Sequence, residues 1–432
     1  MFTEQKPREI AIRVLRQRQP RTEYTENLLE TALAGAKLSP PDRGLCQEIV
    51  YGVVRWQAAL DWLIARKTPG REQQPALQIL LQTGLYQIFW LDRIPPHAAV
   101  HETVELAKRL GFGPQAGFIN AILRGYLRET EVTRQLLASL KDTQPAIGWS
   151  HPEWLVERWI QCWGAPRTQQ LLAWDNTPPK TFARLNRLKT DAAKLIEQWR
   201  TENVSYDFVR PGPWPENQIF ELKGHPALGT LPSFTDGWFY VQGPSTLMAV
   251  TQLRPQPGET VLDLCAAPGG KTAFIAQLMN NQGRLVAHDV AEDRLVLILD
   301  NCRRLGITCV ETTLIPPANS GTTAFDRLLV DAPCSNTGVM RRRVDLRWRI
   351  QPAEITRLRT TQLELLEKAA ALLKPSGVLV YSTCSIEPEE NQEVVAQFLT
   401  RQPHFQCEGE HALIPFVDGV DGAFVARLTR VR

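Results

Sequence analysis

Between residues 5 and 128 the apolar positions recur at helical spacing. Leu28, Leu29, Ala32, Leu33 and Ala36 fall on one side of a helical wheel, the pattern of an amphipathic helix that buries one face. The same spacing predicts helices over 49–64, 77–91, 98–110 and 118–127. Between them stand the breakers Ser39-Pro40-Pro41, Pro69-Gly70, Pro95-Pro96 and Gly111-Phe112-Gly113-Pro114. An all-helical domain follows. A polar connection over 130–149 leads to a Trp-rich helix over 152–163. From there to about residue 234 Pro is frequent and strand-like runs are short, as in a small α/β module.

Beyond residue 250 the pattern changes. Short apolar runs at 261–264, 285–288, 309–311, 325–330 and 378–382 alternate with helical ones at 273–278, 292–305 and 362–373. Strands alternating with helices imply right-handed crossovers and a parallel, doubly wound sheet. The expected division is three domains: 1–137 helical, 138–234 mixed α/β, and 235–432 α/β. Ligands bind beyond the carboxyl ends of the strands in such a sheet, which directs attention to three loops.

Composition narrows the field. The 432 residues are 43% hydrophobic and 22% charged, typical of globular chains and enough for several cores. No apolar run reaches the about 18–20 residues that cross a bilayer, and the first twenty residues lack the apolar stretch of a signal peptide, so a cytoplasmic protein without membrane contact is expected. The eight cysteines are scattered and none is spaced as CxxC, so free thiols are expected rather than disulfides or a metal site. A net charge of +3 is too small to argue for nucleic acid, and local clustering must carry that argument.

The first loop, Asp263-Leu264-Cys265-Ala266-Ala267-Pro268-Gly269-Gly270-Lys271-Thr272, follows a strand and opens a helix. Small residues allow close backbone approach, and a helix start offers N–H groups to a ligand. A phosphate-binding GxxxxGK[ST] loop matches at Gly270, Lys271 and Thr272 but has Cys265 at its first glycine position. A GxGxxG fingerprint fails because the glycines are adjacent, and a tight turn without a ligand stays open. Asp289 ends the next strand 20 residues after Gly269, where a carboxylate conventionally accepts ribose hydroxyls, so an adenosine-like cofactor is expected.

The second loop is Asp331-Ala332-Pro333-Cys334-Ser335 and the third Ser382-Thr383-Cys384-Ser385, each after an apolar strand. Both place a thiol at the edge that carries the cofactor loop, whereas Cys46, Cys162, Cys302, Cys309 and Cys407 read as small buried hydrophobes. A thiol beside a nucleoside cofactor has a specific use: added to C6 of a cytosine, it makes C5 nucleophilic. A second group must then help to release the adduct, for which Cys334 is a candidate, while Asp331 suits the N3/N4 edge of the base. Next in sequence come Arg341, Arg342, Arg343, Arg347 and Arg349 with Trp348, five arginines within nine residues, read as a phosphate-contacting and base-stacking surface.

The strings DLCAAPGGKT (263–272), FDRLLVDAPCSNTGVMRRRVDLRW (325–348) and YSTCSIEPEEN (381–391), with DGAFVARL (421–428) more weakly, resemble the S-adenosylmethionine-dependent RNA cytosine-C5 methyltransferases of the Sun/RsmB type. The helical stretch ending INAILR (119–124) resembles a NusB-like RNA-binding domain. The resemblance implies an all-α NusB-like N-terminal domain, a small α/β linker domain and a C-terminal Rossmann-like class I methyltransferase domain. It implies S-adenosyl-L-methionine as cofactor and small-subunit (16S) rRNA, or an early assembly intermediate of that subunit, as partner of a monomeric enzyme.

Position by position, Cys384 takes the place of the nucleophile and Cys334 that of the cysteine assisting product release. Cys265, Ala266, Ala267, Pro268, Gly269, Gly270 and Lys271 match cofactor contacts, Asp289 the ribose contact, and Asp331 the acidic residue that opens its motif. Three departures stand out: Asn336 replaces a usual Gly, Arg343-Val344 a usual His-Pro, and VETTLIPP (310–317) lacks the acidic residue that contacts the adenine, leaving Glu311 or Thr312 as substitutes. Two other readings remain: a non-catalytic RNA-binding or assembly factor acting through the helical domain, which has no need of paired thiols, and an NTPase using Thr272 to hold Mg²⁺.

Overall fold

The computed structural model describes residues 6–18, 23–209, 212–315 and 325–431. The chain divides into two compact units, Met1–Thr177 with Met340–Arg349, and Pro178–Val339 with Ile350–Arg432.

The first unit is helical. Expected helices appear at Thr25–Ala34, Pro75–Trp90, Pro96–Arg109 and Ala116–Arg128, preceded by one at Pro7–Arg18. The single helix expected over 49–64 is two, Pro40–Arg55 and Gln57–Lys67, because the backbone at Trp56 leaves helical geometry at φ −101° and ψ 20°. Ser39 caps the first of them, its Oγ accepting from the Asp42 N–H at 3.3 Å, with Pro40 at the start where no N–H is needed. The expected polar connection over 130–149 is also helical, at Thr130–Thr143 and Pro145–Gly148. Its apolar stripe is thin, with only Thr133 and Leu140 buried on the longer helix, which is why periodicity missed it. Helices Glu153–Trp163 and Ala165–Asp175 complete the unit. Its core joins Leu15, Val50, Leu80 and Leu123 to one residue from far along the chain, Val344.

The second unit holds two sheets, with strands β1 Thr181–Leu185, β2 Ser205–Phe208, β3 Ile219–Gly224, β4 Phe239–Val241, β5 Thr260–Leu264, β6 Arg284–His288, β7 Val310–Thr313, β8 Phe325–Asp331, β9 Leu373–Thr383, β10 Phe405–Leu413 and β11 Ala423–Arg430. The smaller sheet is antiparallel in the order β2-β3-β1-β4. Its β4, paired with β1 through Ala183 and Val241, lies beyond the boundary expected at 234, since pairing with a distant strand leaves no local mark. Trp199 fills its core, edge-on to Phe220 and Phe239 at centroid distances of 5.1 and 5.4 Å.

The larger sheet runs β10-β11-β9-β8-β5-β6-β7. From β9 to β7 it is parallel, as the alternation predicts, and it ends in an antiparallel pair, β11 and β10, that the sequence analysis did not read as strands. β10 is largely solvent-facing and so lacks a buried apolar run, whereas β11 is buried over 423–426 and carries one that went unread. The carboxyl ends of β5, β8 and β9 lie along one edge, which brings the three loops together. Among the described residues no helix is long and apolar enough to cross a membrane.

Candidate active site

The loop after β5 turns sharply into the helix Gly270–Leu278. Cys265 and Gly269 sit at φ 72° and 98°, and a Cβ on Gly270 would meet the Tyr240 ring at 2.9 Å, so this backbone packs too closely for a side chain there. The first turn presents its N–H groups at the strand edge. Asp263, fully buried at the end of β5, accepts from the Thr272 hydroxyl at 2.6 Å through Oδ2, while its Oδ1 has no hydrogen-bond partner. Burial pushes its carboxyl up to about 7. Thr272 is itself buried on Asp263, which leaves the Mg²⁺ reading without its hydroxyl.

Asp289 is buried after β6. Its Oδ2 accepts from the Ala267 N–H at 2.9 Å and its Oδ1 from the Val290 N–H at 2.8 Å, with Arg294 Nε at 3.2 Å. It thus fastens the cofactor loop to the neighbouring strand, and a ribose contact would use the remaining lone pairs. The acceptors at these strand ends, Asp263 Oδ1 above all, suit a ligand that brings N–H and O–H donors, as the ammonium and ribose diol of S-adenosylmethionine do. Of the two adenine candidates, Glu311 is exposed and paired with Arg284 at 2.8 Å and Thr312 is half-buried in β7; the end of the segment, 316–317, lies outside the described residues.

Two thiols meet at the same edge. Cys334 Sγ and Cys384 Sγ are 3.3 Å apart, and none of the eight cysteines is in a disulfide. The Cys334 thiol is held well above its usual range, first by its hydrogen bond to Cys384, then by burial and by charge on Cys384 and Glu390. With the Cys384 S–H directed to Asn336 Oδ1, the Cys334 S–H is the one turned toward Cys384. Cys384 in turn lies 2.9 Å from Asn336 Oδ1. Cys265, the thiol of the first loop, is pushed up to about 12 by burial and is inert as a nucleophile. Among the other five, Cys46 and Cys302 are buried, Cys309 and Cys407 are only half-buried, and Cys162 is exposed on the outer face of Glu153–Trp163, a correction to its reading as a buried hydrophobe.

Lys271 reaches across from the cofactor helix to Asp331 at 2.5 Å. Burial works to lower the lysine pKa, but the charge and hydrogen bond of Asp331 outweigh it and the pKa rises. The pair is neutral overall, but it keeps the ammonium of Lys271 charged at the strand edge, and charge on Cys384 would raise Lys271 further.

Sequence reasoning missed the group that holds the two cysteine loops together. Glu390, fully buried, accepts from the Ser335 N–H at 2.8 Å, the Ser335 hydroxyl, the Ser385 hydroxyl at 2.5 Å and Gln362 Nε2 at 3.0 Å. Nothing in the run Glu387-Pro388-Glu389-Glu390 separates this carboxylate from its neighbours. Gly338 adds a close approach: its N–H donates to the Cys384 carbonyl at 2.9 Å, and a Cβ there would stand 2.7 Å from that oxygen.

The arginine cluster needs correcting. Arg347 is fully buried in the helical unit, donating to the carbonyl oxygens of Arg55, Ser150 and Asp175 and to Asn176 Oδ1. Arg341 is buried with its guanidinium 4.2 Å from the Trp174 ring, and Trp348 is half-buried with Nε1 donating to the Val54 carbonyl at 2.8 Å. Arg349 pairs with buried Asp345 at 3.0 Å. These four side chains are packed and bonded as structure, so they do not form the surface expected for RNA. Arg343 is exposed and Arg342 is half-exposed.

Comparison with known proteins agrees with this architecture. Residues 5–128 match the NusB family, 151–213 the RsmF/B-like ferredoxin-like methyltransferase domain, and 250–429 the 16S rRNA methyltransferase RsmB/F family. The chain is 37% identical to a probable ribosomal RNA small subunit methyltransferase B of Synechocystis, over 98% of this chain and 99% of that protein. It is 34% identical to the probable methyltransferase B of Bacillus subtilis, over 98% of each. A solved methyltransferase homologue from Pyrococcus horikoshii, 30% identical, superposes with a TM-score of 0.58 over 66% of this chain and 97% of that one. The chain belongs to the ribosomal RNA small subunit methyltransferase B family, and it is an S-adenosylmethionine-dependent methyltransferase with a NusB-like helical domain.

Proposed function

We propose that this enzyme methylates C5 of a cytosine in small-subunit rRNA through a covalent bond between Cys384 Sγ and C6 of the base. The observation that carries the reading is the thiol pair: two sulfurs 3.3 Å apart, one held protonated, beside a lysine held charged.

An ordinary thiol at pH 7 is a thiolate only to a few per cent, and Cys334 Sγ stands 3.3 Å from Cys384 Sγ as a donor for the attacking sulfur. Attack on C6 makes C5 enamine-like. The residues of 263–272 with Asp289 would hold S-adenosylmethionine, which when bound would supply the methyl group to C5 and leave as S-adenosylhomocysteine. Asp331, side chain part exposed beside Lys271, faces the N3/N4 edge of the base, where its carboxylate would accept from N–H and stabilise the adduct once N3 has taken a proton from solvent.

The C5 proton must then leave and the C6–S bond must break. Once Cys384 is a thioether it carries no charge and no longer accepts the Cys334 proton in the same way, so the largest cause holding the Cys334 pKa high is gone. With its own proton lost to solvent, the Cys334 thiolate takes the C5 proton, and the electrons of the C6–S bond return to Cys384, which leaves as a thiolate. Exposed Arg343 and half-exposed Arg342 are the members of the arginine run that remain as RNA contacts. The protein acts as a monomer on cytoplasmic rRNA or an assembling small-subunit particle.

The test is covalent trapping. Small-subunit rRNA carrying 5-fluorocytosine is incubated with enzyme and S-adenosylmethionine, and the attached residue is mapped by mass spectrometry. An adduct on Cys384 supports the reading. One on Cys334 reverses the two roles, and none despite bound RNA refutes cytosine-C5 chemistry.

A further inference from the structure

Asn336, two residues beyond Cys334, sits at φ 59° in the left-handed region, which glycine enters freely and asparagine tolerates. A glycine would make the turn alone, so the side chain has another use. Its Nδ2 donates to the Cys334 carbonyl oxygen at 2.7 Å. A carbonyl oxygen only accepts, so this bond settles which way the amide points: Oδ1 is turned onto Cys384 Sγ at 2.9 Å, where it accepts from the S–H.

Cys384 thus lies between two opposed neighbours. The Cys334 thiol at 3.3 Å donates toward it and favours the thiolate, whereas the Asn336 amide oxygen accepts from it and favours the thiol. The other ionisable groups around the pair come from separate elements: Lys271 from the cofactor helix, with its partner Asp331 at the end of β8, and Glu390 and Tyr381 from the chain on either side of the third loop. Among these, Lys271 favours the thiolate and the carboxylates oppose it.

We propose that Asn336 is a positioning residue that restrains Cys384, its Oδ1 holding the nucleophile as a thiol in the RNA-free enzyme and so limiting its reaction with other electrophiles. The inference rests on the reading of Cys384 as nucleophile. It deepens that reading by assigning the resting state of the sulfur to one amide oxygen.

The experiment is alkylation of the full-length protein by iodoacetamide from pH 6 to 10, with modification of the Cys384 peptide followed by mass spectrometry in wild type, Asn336→Gly and Asn336→Asp. Glycine keeps the turn and removes the acceptor. Cys384 should then react about threefold or more faster at pH 7, with its midpoint at lower pH. Aspartate keeps the size and adds a negative charge, and the midpoint should move to higher pH. Superimposable wild-type and Asn336→Gly profiles would overturn the proposal. If the glycine variant does not fold, an Asn336→Asp profile identical to wild type overturns it equally. Trapping on 5-fluorocytosine RNA keeps the two readings apart: absence of a wild-type adduct refutes the nucleophile assignment even where the alkylation profiles shift, and a wild-type adduct with unshifted profiles refutes only the role of Asn336.

Discussion

Ser335 and Ser385, each the residue after one of the facing cysteines, donate their hydroxyls to the same buried carboxylate, that of Glu390. They also lie within 3.1 Å of one another, Oγ to Oγ. The loops come from different strands, 50 residues apart in sequence, and this shared acceptor gives them one fixed separation. The distance between the two sulfurs is therefore a property of Glu390 as much as of the cysteines.

Glu390→Gln replaces one acceptor oxygen by a donor that faces donors. We expect methylation to fall at least tenfold and the denaturation midpoint to drop by the equivalent of about 2–3 kcal/mol, with S-adenosylmethionine binding nearly unchanged. Calorimetric titration of the cofactor beside a single-turnover methylation assay checks this, and full activity in the variant would remove Glu390 from the positioning role.

The cysteines should separate by the step they block. Cys384→Ala should abolish both methylation and covalent capture of RNA. Cys334→Ala should capture RNA and release it slowly, leaving a protein–RNA band on denaturing gels. Methylation by Cys384→Ala would sink the nucleophile assignment.

Asp263 makes stability depend on pH with a definite sign. Its folded-state pKa of about 7 is raised from 3.8, so between those values the folded protein binds a proton that the unfolded chain has lost. Stability from this group is present below about pH 4 and declines as pH rises through about 7. Asp263→Asn should flatten that decline, so its urea midpoint should gain on wild type between pH 5 and pH 8. Parallel midpoints across this range would show that Asp263 is ionised in the fold.

Two arginines four residues apart should behave as opposites. Arg347→Ala strands three buried carbonyls and Asn176 and should lower the thermal midpoint of the helical unit, by the equivalent of about 3 kcal/mol. Arg343→Ala should leave the midpoint in place and reduce the salt slope of RNA binding by about one. A salt slope unchanged by Arg343→Ala would make that residue a solvated charge.

Much of the site is legible without coordinates. Parallel strands end along one edge, so once the alternation of runs after residue 250 is read as β5, β6, β8 and β9, the loops at Cys265, Asp289, Cys334 and Cys384 must meet. The small residues of the cofactor loop and the pairing of two thiols then indicate the chemistry. The thin helix Thr130–Thr143 and the exposed strand β10 escaped because they bury too little apolar surface to leave a period.

Tertiary structure decided which polar residues are structural and which face the reaction. Arg347 and Arg343 belong to one basic run, yet one is sealed by carbonyl oxygens 172, 197 and 292 residues away while the other meets solvent. Every residue has a carbonyl, so a bond to one leaves no trace in the identity of either partner. The same holds for Glu390, whose acceptor role depends on two serines brought to it by separate strands, and for Asn336, whose amide orientation follows from a single main-chain oxygen. Local patterning sets where the strands end and which thiols they carry. The hydrogen bonds that hold those thiols in register, and set which sulfur keeps its proton, exist only after the chain has folded back on itself.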